Sequence, residues 1–216
     1  MTLKALTPLP ALVMTVAALM LPVSAAHADP ITFFADLSGA SEVPPVPSLG
    51  TGSATVVLDP TEHTIQISAT FSDLGSNTIM AHIHCCAPLG TNIGVATTQP
   101  AFPGFPLGVT SGTYGPMTFD LTQFNPPLDP GIWNPAFVTA QGGLANAEAA
   151  LVAGMIAEQS YFNIHTVEFG SGEIRDQLSG QLIAVVPGPV VGAGLPGLIL
   201  ASGGLLGWWR RRRKIA

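Results

Sequence analysis

Between Lys4 and Lys214 the 216-residue sequence contains no lysine, and between Lys4 and Arg210 its only base is Arg175. All thirteen acids fall between Asp29 and Asp176, so residues 29–186 set one base against thirteen acids, a formal charge of −12. A surface of that sign excludes nucleic acid as a partner, because phosphates need a basic face. It suits solubility first and association with cations second. Charged residues of both signs make up only 9 % of the chain, against about 25 % in ordinary domains, which excludes a charged disordered tail protein. Catalytic templates are missing as well. There is no Gly-x-Ser-x-Gly elbow, no Walker A loop and no dinucleotide-binding glycine pattern. Glu168 and Glu173 flank a turn and read as solvated surface rather than as a glycosidase pair. What is plentiful is apolar residues (47 %), glycine (24) and proline (20), a mixture that excludes a helical bundle or coiled coil.

Both ends read as targeting segments. Residues 1–28 have the layout of a secretory signal peptide: Lys4, an apolar stretch from Ala11 to Val23, and Ala26-His27-Ala28 as the site for signal peptidase. The mature chain then starts at Asp29. That apolar stretch is short for a membrane anchor. At the other end Val186-Pro187-Gly188-Pro189 precedes an uncharged apolar run over 190–209, long enough to cross a bilayer as a transmembrane helix. Trp208 and Trp209 suit the interface, and the basic residues 210–214 hold that end on the cytoplasmic side. The layout of residues 187–216 resembles a PEP-CTERM sorting signal of exosortase substrates, with Pro-Gly-Pro in place of Pro-Glu-Pro. The resemblance implies a Gram-negative bacterium, a transient anchor in the inner membrane and cleavage near Pro187 by an exosortase. The destination it implies is the cell surface or an exopolysaccharide-containing extracellular matrix.

Residues 29–186 read as one antiparallel β domain. Thr64 to Phe71 alternates, with Ile65, Ile67, Ala69 and Phe71 on one face and Thr64, Gln66, Ser68 and Thr70 on the other. Ser53 to Leu58 is a β-branched run ending at Asp59-Pro60, so 53–71 forms a hairpin. Further strands are expected over 31–37, 79–84, 117–122, 161–167 and 173–183, the last two joined as a hairpin by Gly170-Ser171-Gly172. Leu144, Leu151, Val152, Met155 and Ile156 fall at helical spacing and predict one short helix over 144–158. Residues 99–116 and 124–136 read as long surface loops. The expected architecture is an immunoglobulin-like or superoxide-dismutase-like two-sheet β-sandwich.

Two groups of segments resemble the CHRD domain, first described in chordin. The first is Leu37-Ser-Gly-Ala-Ser-Glu-Val-Pro-Pro-Val, Gly52-Ser-Ala-Thr and Ala81-His-Ile-His. The second is Tyr161-Phe-Asn-Ile-His-Thr and Gly172-Glu-Ile-Arg-Asp-Gln-Leu. Two features depart from the pattern: Cys85-Cys86 after the histidine pair and Asp176 after the arginine. The resemblance implies a β-sandwich of extracellular proteins and assigns no activity.

His82 and His84 are two apart on a strand and share a face. His165 shares its strand face with Asn163 and Tyr161. If the strands are neighbours, three imidazoles converge, an adequate set for zinc or copper. The alternative is that each histidine satisfies a nearby carbonyl or carboxylate. The His-x-His spacing is similar to one in copper-zinc superoxide dismutases, but no full ligand set or bridging histidine accompanies it. Cys85 and Cys86 leave four arrangements open: a vicinal disulfide, two free thiols, an intermolecular bridge, or thiolate ligands beside the histidines. Arg175 reads as the base of a structural ion pair or a bond to backbone carbonyls. The sequence thus favours an exported, sorted surface or matrix protein, not an enzyme, with a structural or binding module. A metal-binding, redox-capable extracellular protein is the alternative.

Overall fold

The computed structural model describes residues 29–125 and 131–181. The leader expected over 1–28 and the sorting segment expected over 187–216 lie outside them. Among the described residues no helix is long and apolar enough to cross a membrane.

The domain is mostly β. Eight strands are β1 (Ile31–Ser38), β2 (Thr51–Asp59), β3 (Thr64–Ser72), β4 (Thr78–Cys85), β5 (Gly112–Asp120), β6 (Ser160–Thr166), β7 (Ile174–Gln177) and β8 (Ser179–Gln181). They run in one antiparallel ladder, β4-β6-β7-β1-β2-β3-β5, with β8 also on β1. Both expected hairpins form. Leu58 pairs with Ile65 across the β2–β3 turn, and Ile164 with Ile174 across the β6–β7 turn. The two-sheet expectation is corrected here. β7 and β8 are one chain broken at Leu178. Asn163 of β6 pairs with Arg175, Arg175 also pairs with Ser38, and residues 179–181 continue along β1. That break turns the corner between the β4–β6 end and the β1–β2–β3–β5 end, so a single sheet curls over its own apolar face.

The alternation in the sequence accounts for the core. Phe33, Ala35 and Leu37, then Ala54, Val56 and Leu58, then Ile65, Ile67, Ala69 and Phe71, all point inward and are buried. Ala81, Ile83, Phe162 and Ile164 close the cavity from the other end of the sheet. Phe102 links the two ends, its ring centred 5.4 Å from Phe162 on β6 and 5.8 Å from Tyr114 on β5. The segments expected as surface loops do more than connect. Residues 94–102 run along the free edge of β4, with Ala96 N–H donating to Ile83 O and Phe102 N–H to Ala81 O. This protects an otherwise exposed strand edge. Ile132 and Trp133 are fully buried, with Trp133 Nε1 donating to Leu121 O at 2.9 Å. Those residues carry no periodicity because each is buried singly from an irregular segment.

Two short helices pack on the core rather than one. α1 (Pro135–Ala140) follows from local chemistry: the Asn134 side chain accepts from Ala136 N–H at 2.9 Å, and Pro135 opens the first turn. α2 (Leu144–Ile156) is the expected helix, and it buries Ala147, Leu151 and Met155 at i, i+4 and i+8. Its Gly154 lies against the disulfide that joins Cys85 to Cys86; a Cβ there would stand 2.6 Å from the Cys86 sulfur and 3.2 Å from the Cys86 Cβ. The bridged pair has little freedom to withdraw. Gly154→Ala is therefore expected to lower the unfolding free energy by about 2 kcal/mol, overpacking of up to ~3 kcal/mol outweighing the ~1 kcal/mol alanine gains in a helix. Gly94→Ala, whose Cβ would meet nothing within 4 Å, is expected to stay within about 0.5 kcal/mol of the parent. Urea unfolding of the two variants measures the contrast.

Candidate metal centre

Strand alternation places His82 and His84 on the face of β4 opposite Ala81, Ile83 and Cys85. On β6, Tyr161, Asn163 and His165 take the same face. The register sets His82 across from Asn163, His84 across from Tyr161 and Met80 across from His165. The sequence expectation is met in that the three histidines come together. Their ring centroids are 4.7 Å apart for His82–His84, 4.6 Å for His82–His165 and 6.1 Å for His84–His165. One ring nitrogen from each lies within 4.8 Å of the others. An ion about 2.0 Å from two nitrogens separates them by at most ~4 Å, so the rings need draw in by less than about an ångström to share one.

Loops cover this face, and the cover fixes the rings. His84 Nδ1 lies 2.6 Å from Ile93 O, and His165 Nδ1 lies 3.1 Å from Gly170 O. A carbonyl only accepts, so each Nδ1 carries the proton, and in a neutral ring Nε2 keeps its lone pair. Both Nε2 atoms are buried without a hydrogen-bond partner, as is His82 Nδ1. Pinning one ring nitrogen to a carbonyl and leaving the other free is how metal-ligating histidines are oriented. All three residues are buried, His82 to 1 % exposure. Burial pushes the His82 imidazole down to about 2, helped by its His165 and His84 neighbours. It pushes His84 down to about 4 against the opposing bond to Ile93. His165 is lowered by burial too, against its bond to Gly170.

The cysteines stand apart from this cluster. Their sulfurs are bonded to each other and lie 3.8 and 3.3 Å from Ala150 O of α2, on the core side of β4. Of the four arrangements the structure has the vicinal disulfide, which offers no thiolate to the histidine face. Arg175 serves structure, as expected: Nε donates to Ser41 O at 2.8 Å and Nη1 to Asn92 Oδ1 at 2.6 Å. Its guanidinium also covers the Tyr161 ring, 4.3 Å from the centroid, and Tyr161 stacks on His84 at 4.5 Å. His63 bonds Glu148 at 2.7 Å on the surface.

Sequence reasoning missed two buried carboxyl groups. Glu173 is fully buried, not solvated, and accepts from Ser48 Oγ, Gly75 N–H and Thr166 Oγ1 at 2.6, 2.6 and 2.5 Å. Glu42 is 5 % exposed, with Oε2 3.9 Å from Arg175 Nε and Oε1 without a partner. Burial raises it to about 7, against the pull of Arg175 and the Val43 N–H. Gly172, at φ +133°, lets Glu42 and Asn163 approach: a Cβ there would be 2.6 Å from Glu42 Oε1 and 2.7 Å from Asn163 Nδ2. The available signal was the company these acids keep. Glu42, His82, His84, Asn163, His165 and Arg175 all come from the segments that carry the family resemblance, and all lie on this one face.

Neutral buried histidines set the sign of a pH dependence. Their folded values lie below the unfolded value of 6.5, so the stability they allow is complete above pH 6.5 and is lost as pH falls toward 4. Glu42 opposes this with one proton, since its folded value lies above 4.5. The exposed His63 is raised by Glu148 and also opposes it, weakly. Three protons outweigh these, so the unfolding free energy from urea titrations is expected to rise between pH 4.5 and 6.5, by about 1.4 kcal/mol per pH unit for each net proton. A flat or inverted profile contradicts neutral burial of the three rings.

No curated protein and no solved structure matches the chain. The profile of the CHRD domain matches residues 33–178, from within β1 to just past β7, and on that match the chain belongs to the CHRD domain family.

Proposed function

We propose that the chain is an exported CHRD module that binds a transition-metal ion through His82, His84 and His165. Family membership makes it an extracellular or secreted module. The observation that carries the metal reading is the convergence of three buried ring nitrogens without hydrogen-bond partners. Each such group costs about 1–3 kcal/mol if left unsatisfied. With Nδ1 of His84 and of His165 held as donors, their Nε2 lone pairs need a partner, and one cation serves both of these and a lone pair of His82 together. Imidazole suits copper and zinc. Because the rings are already neutral, loading at pH 7 needs no displacement of protons, unlike most metal sites.

The targeting pattern at the two ends supports a place for this module: export through the leader, a transient membrane anchor, then release by an exosortase to the cell surface or exopolysaccharide matrix. A structural or binding role in that matrix is the second reading, and it is compatible with a bound metal. Its basis is the order Pro187-Gly188-Pro189, apolar run, arginine cluster.

Two measurements test these readings. The full chain purified without a histidine tag is expected to retain about one copper or zinc ion per chain by elemental analysis, and the His82→Ala/His84→Ala variant none. Metal absent after loading with either ion and dialysis would reduce the histidines to packing residues. For the targeting reading, the intact mass of protein recovered from native cells is expected to fit a chain running from Asp29 to near Pro187. A mass retaining residues 190–214 would instead mean a permanent anchor.

A further inference from the structure

We infer that the trihistidine site selects monovalent copper, Cu(I), over Zn(II) and Cu(II); the inference rests on the metal-binding reading above. The first argument is charge. Three neutral imidazoles bring no negative charge to the ion, and among the described residues no carboxylate or thiolate joins their cluster. The sulfurs that could have supplied one are bonded to each other on the far side of β4. The charged group felt at His84 is Arg175, a cation. The carboxyl facing this side, Glu42, is set against that arginine, 3.9 Å away. The cost of taking an ion out of water grows as the square of its charge, and a buried site without counter-charge leaves that cost uncompensated. A singly charged ion meets a quarter of the penalty of a doubly charged one.

The second argument is coordination number. Three nitrogens converge from two strands, and His82 is almost sealed from water. Zn(II) is four-coordinate and fills its last position with water or an anion when the protein supplies three ligands. Cu(II) prefers a tetragonal set of nitrogen and oxygen donors. Cu(I), with a filled d shell, is content with three neutral nitrogens and needs no anion. The pinned Nδ1 atoms of His84 and His165 hold their rings in the ligating orientation before metal arrives. This set discriminates by what it withholds, a negative charge and a fourth ligand.

The test is an anaerobic competition on the full chain in detergent. Cu(I) is presented as its bicinchoninate complex, and Zn(II) and Cu(II) as their complexes with colorimetric chelators. One Cu(I) per chain is expected to transfer, with an affinity at least 100-fold above that for either divalent ion. The X-ray absorption edge of the loaded protein is expected to be that of Cu(I) with three nitrogen scatterers. His84→Ala and His165→Ala are each expected to weaken Cu(I) at least 100-fold. The edge measurement needs no variant, so a histidine variant that misfolds leaves the test intact. Zn(II) or Cu(II) bound as tightly as Cu(I) overturns the inference while the metal reading stands. Failure to retain any of the three ions overturns both.

Discussion

β6 is buried on both faces along its whole length, Ser160 to Thr166, and most of the molecule can be understood as a response to that constraint. An antiparallel strand normally keeps one face in water, where polar side chains cost nothing. Here Phe162 and Ile164 point into the core while Tyr161, Asn163 and His165 point into a second layer. That layer is made by loops, not by another sheet. Residues 39–46 bring Ser41 O and Glu42, residues 86–93 bring Asn92 and Ile93 O, and the β6–β7 turn brings Gly170 O. Buried polar groups need partners, and these loops supply most of them. The atoms left over, on His82, His84, His165, Asn163 and Glu42, concentrate on this same face, with Ser160 Oγ the other one among the described residues.

The two sides of β4 are held by different means. On the core side the Cys85–Cys86 bridge and Gly154 bring the strand end against α2. On its outer edge the chain returns at Gly94, whose carbonyl accepts from Cys85 N–H, and Val95 bridges to His84. The carbonyl that orients His84 belongs to Ile93, the residue just before this return. His84, Cys85 and Cys86 are consecutive in the chain, so the covalent constraint on the core side of the strand end adjoins the ring held by Ile93 on the other.

The legible part of the fold was the part with period two. β3 and the faces of β4 and β6 follow from alternation, β2 from its β-branched run beside β3, and the convergence of three histidines follows once β4 and β6 are neighbours. What alternation could not show was the curl. Nothing in Ile174 to Gln181 announces that one short strand serves β6 first and β1 afterwards, because that depends on where the ladder breaks at Leu178. Segments 99–116 and 124–136 read as surface in the sequence because single buried aromatics such as Phe102 and Trp133 have no repeat to betray them. Glu173 reads as solvated for a similar reason: its three donors come from residues 48, 75 and 166, far apart in sequence. A carboxylate satisfied by distant partners looks like any surface acid until the chain is folded.

The same separation of charge from site gives the domain its electrostatic character. Thirteen acids lie between Asp29 and Asp176, yet among the described residues none joins the histidine cluster, and the buried pair Glu173 and Glu42 are occupied by hydrogen bonds and by Arg175. Surface acids attract cations of every kind over about a Debye length, 8–10 Å at ordinary ionic strength. They cannot tell one ion from another, because a solvated carboxylate imposes no geometry. Discrimination requires fixed donors in a dry place, and β6, buried on both faces, is where this fold provides one. Under the proposed metal reading, an acidic exterior gathers ions and an uncharged cluster sorts them, so the acids kept out of the cluster matter as much to that chemistry as the histidines within it.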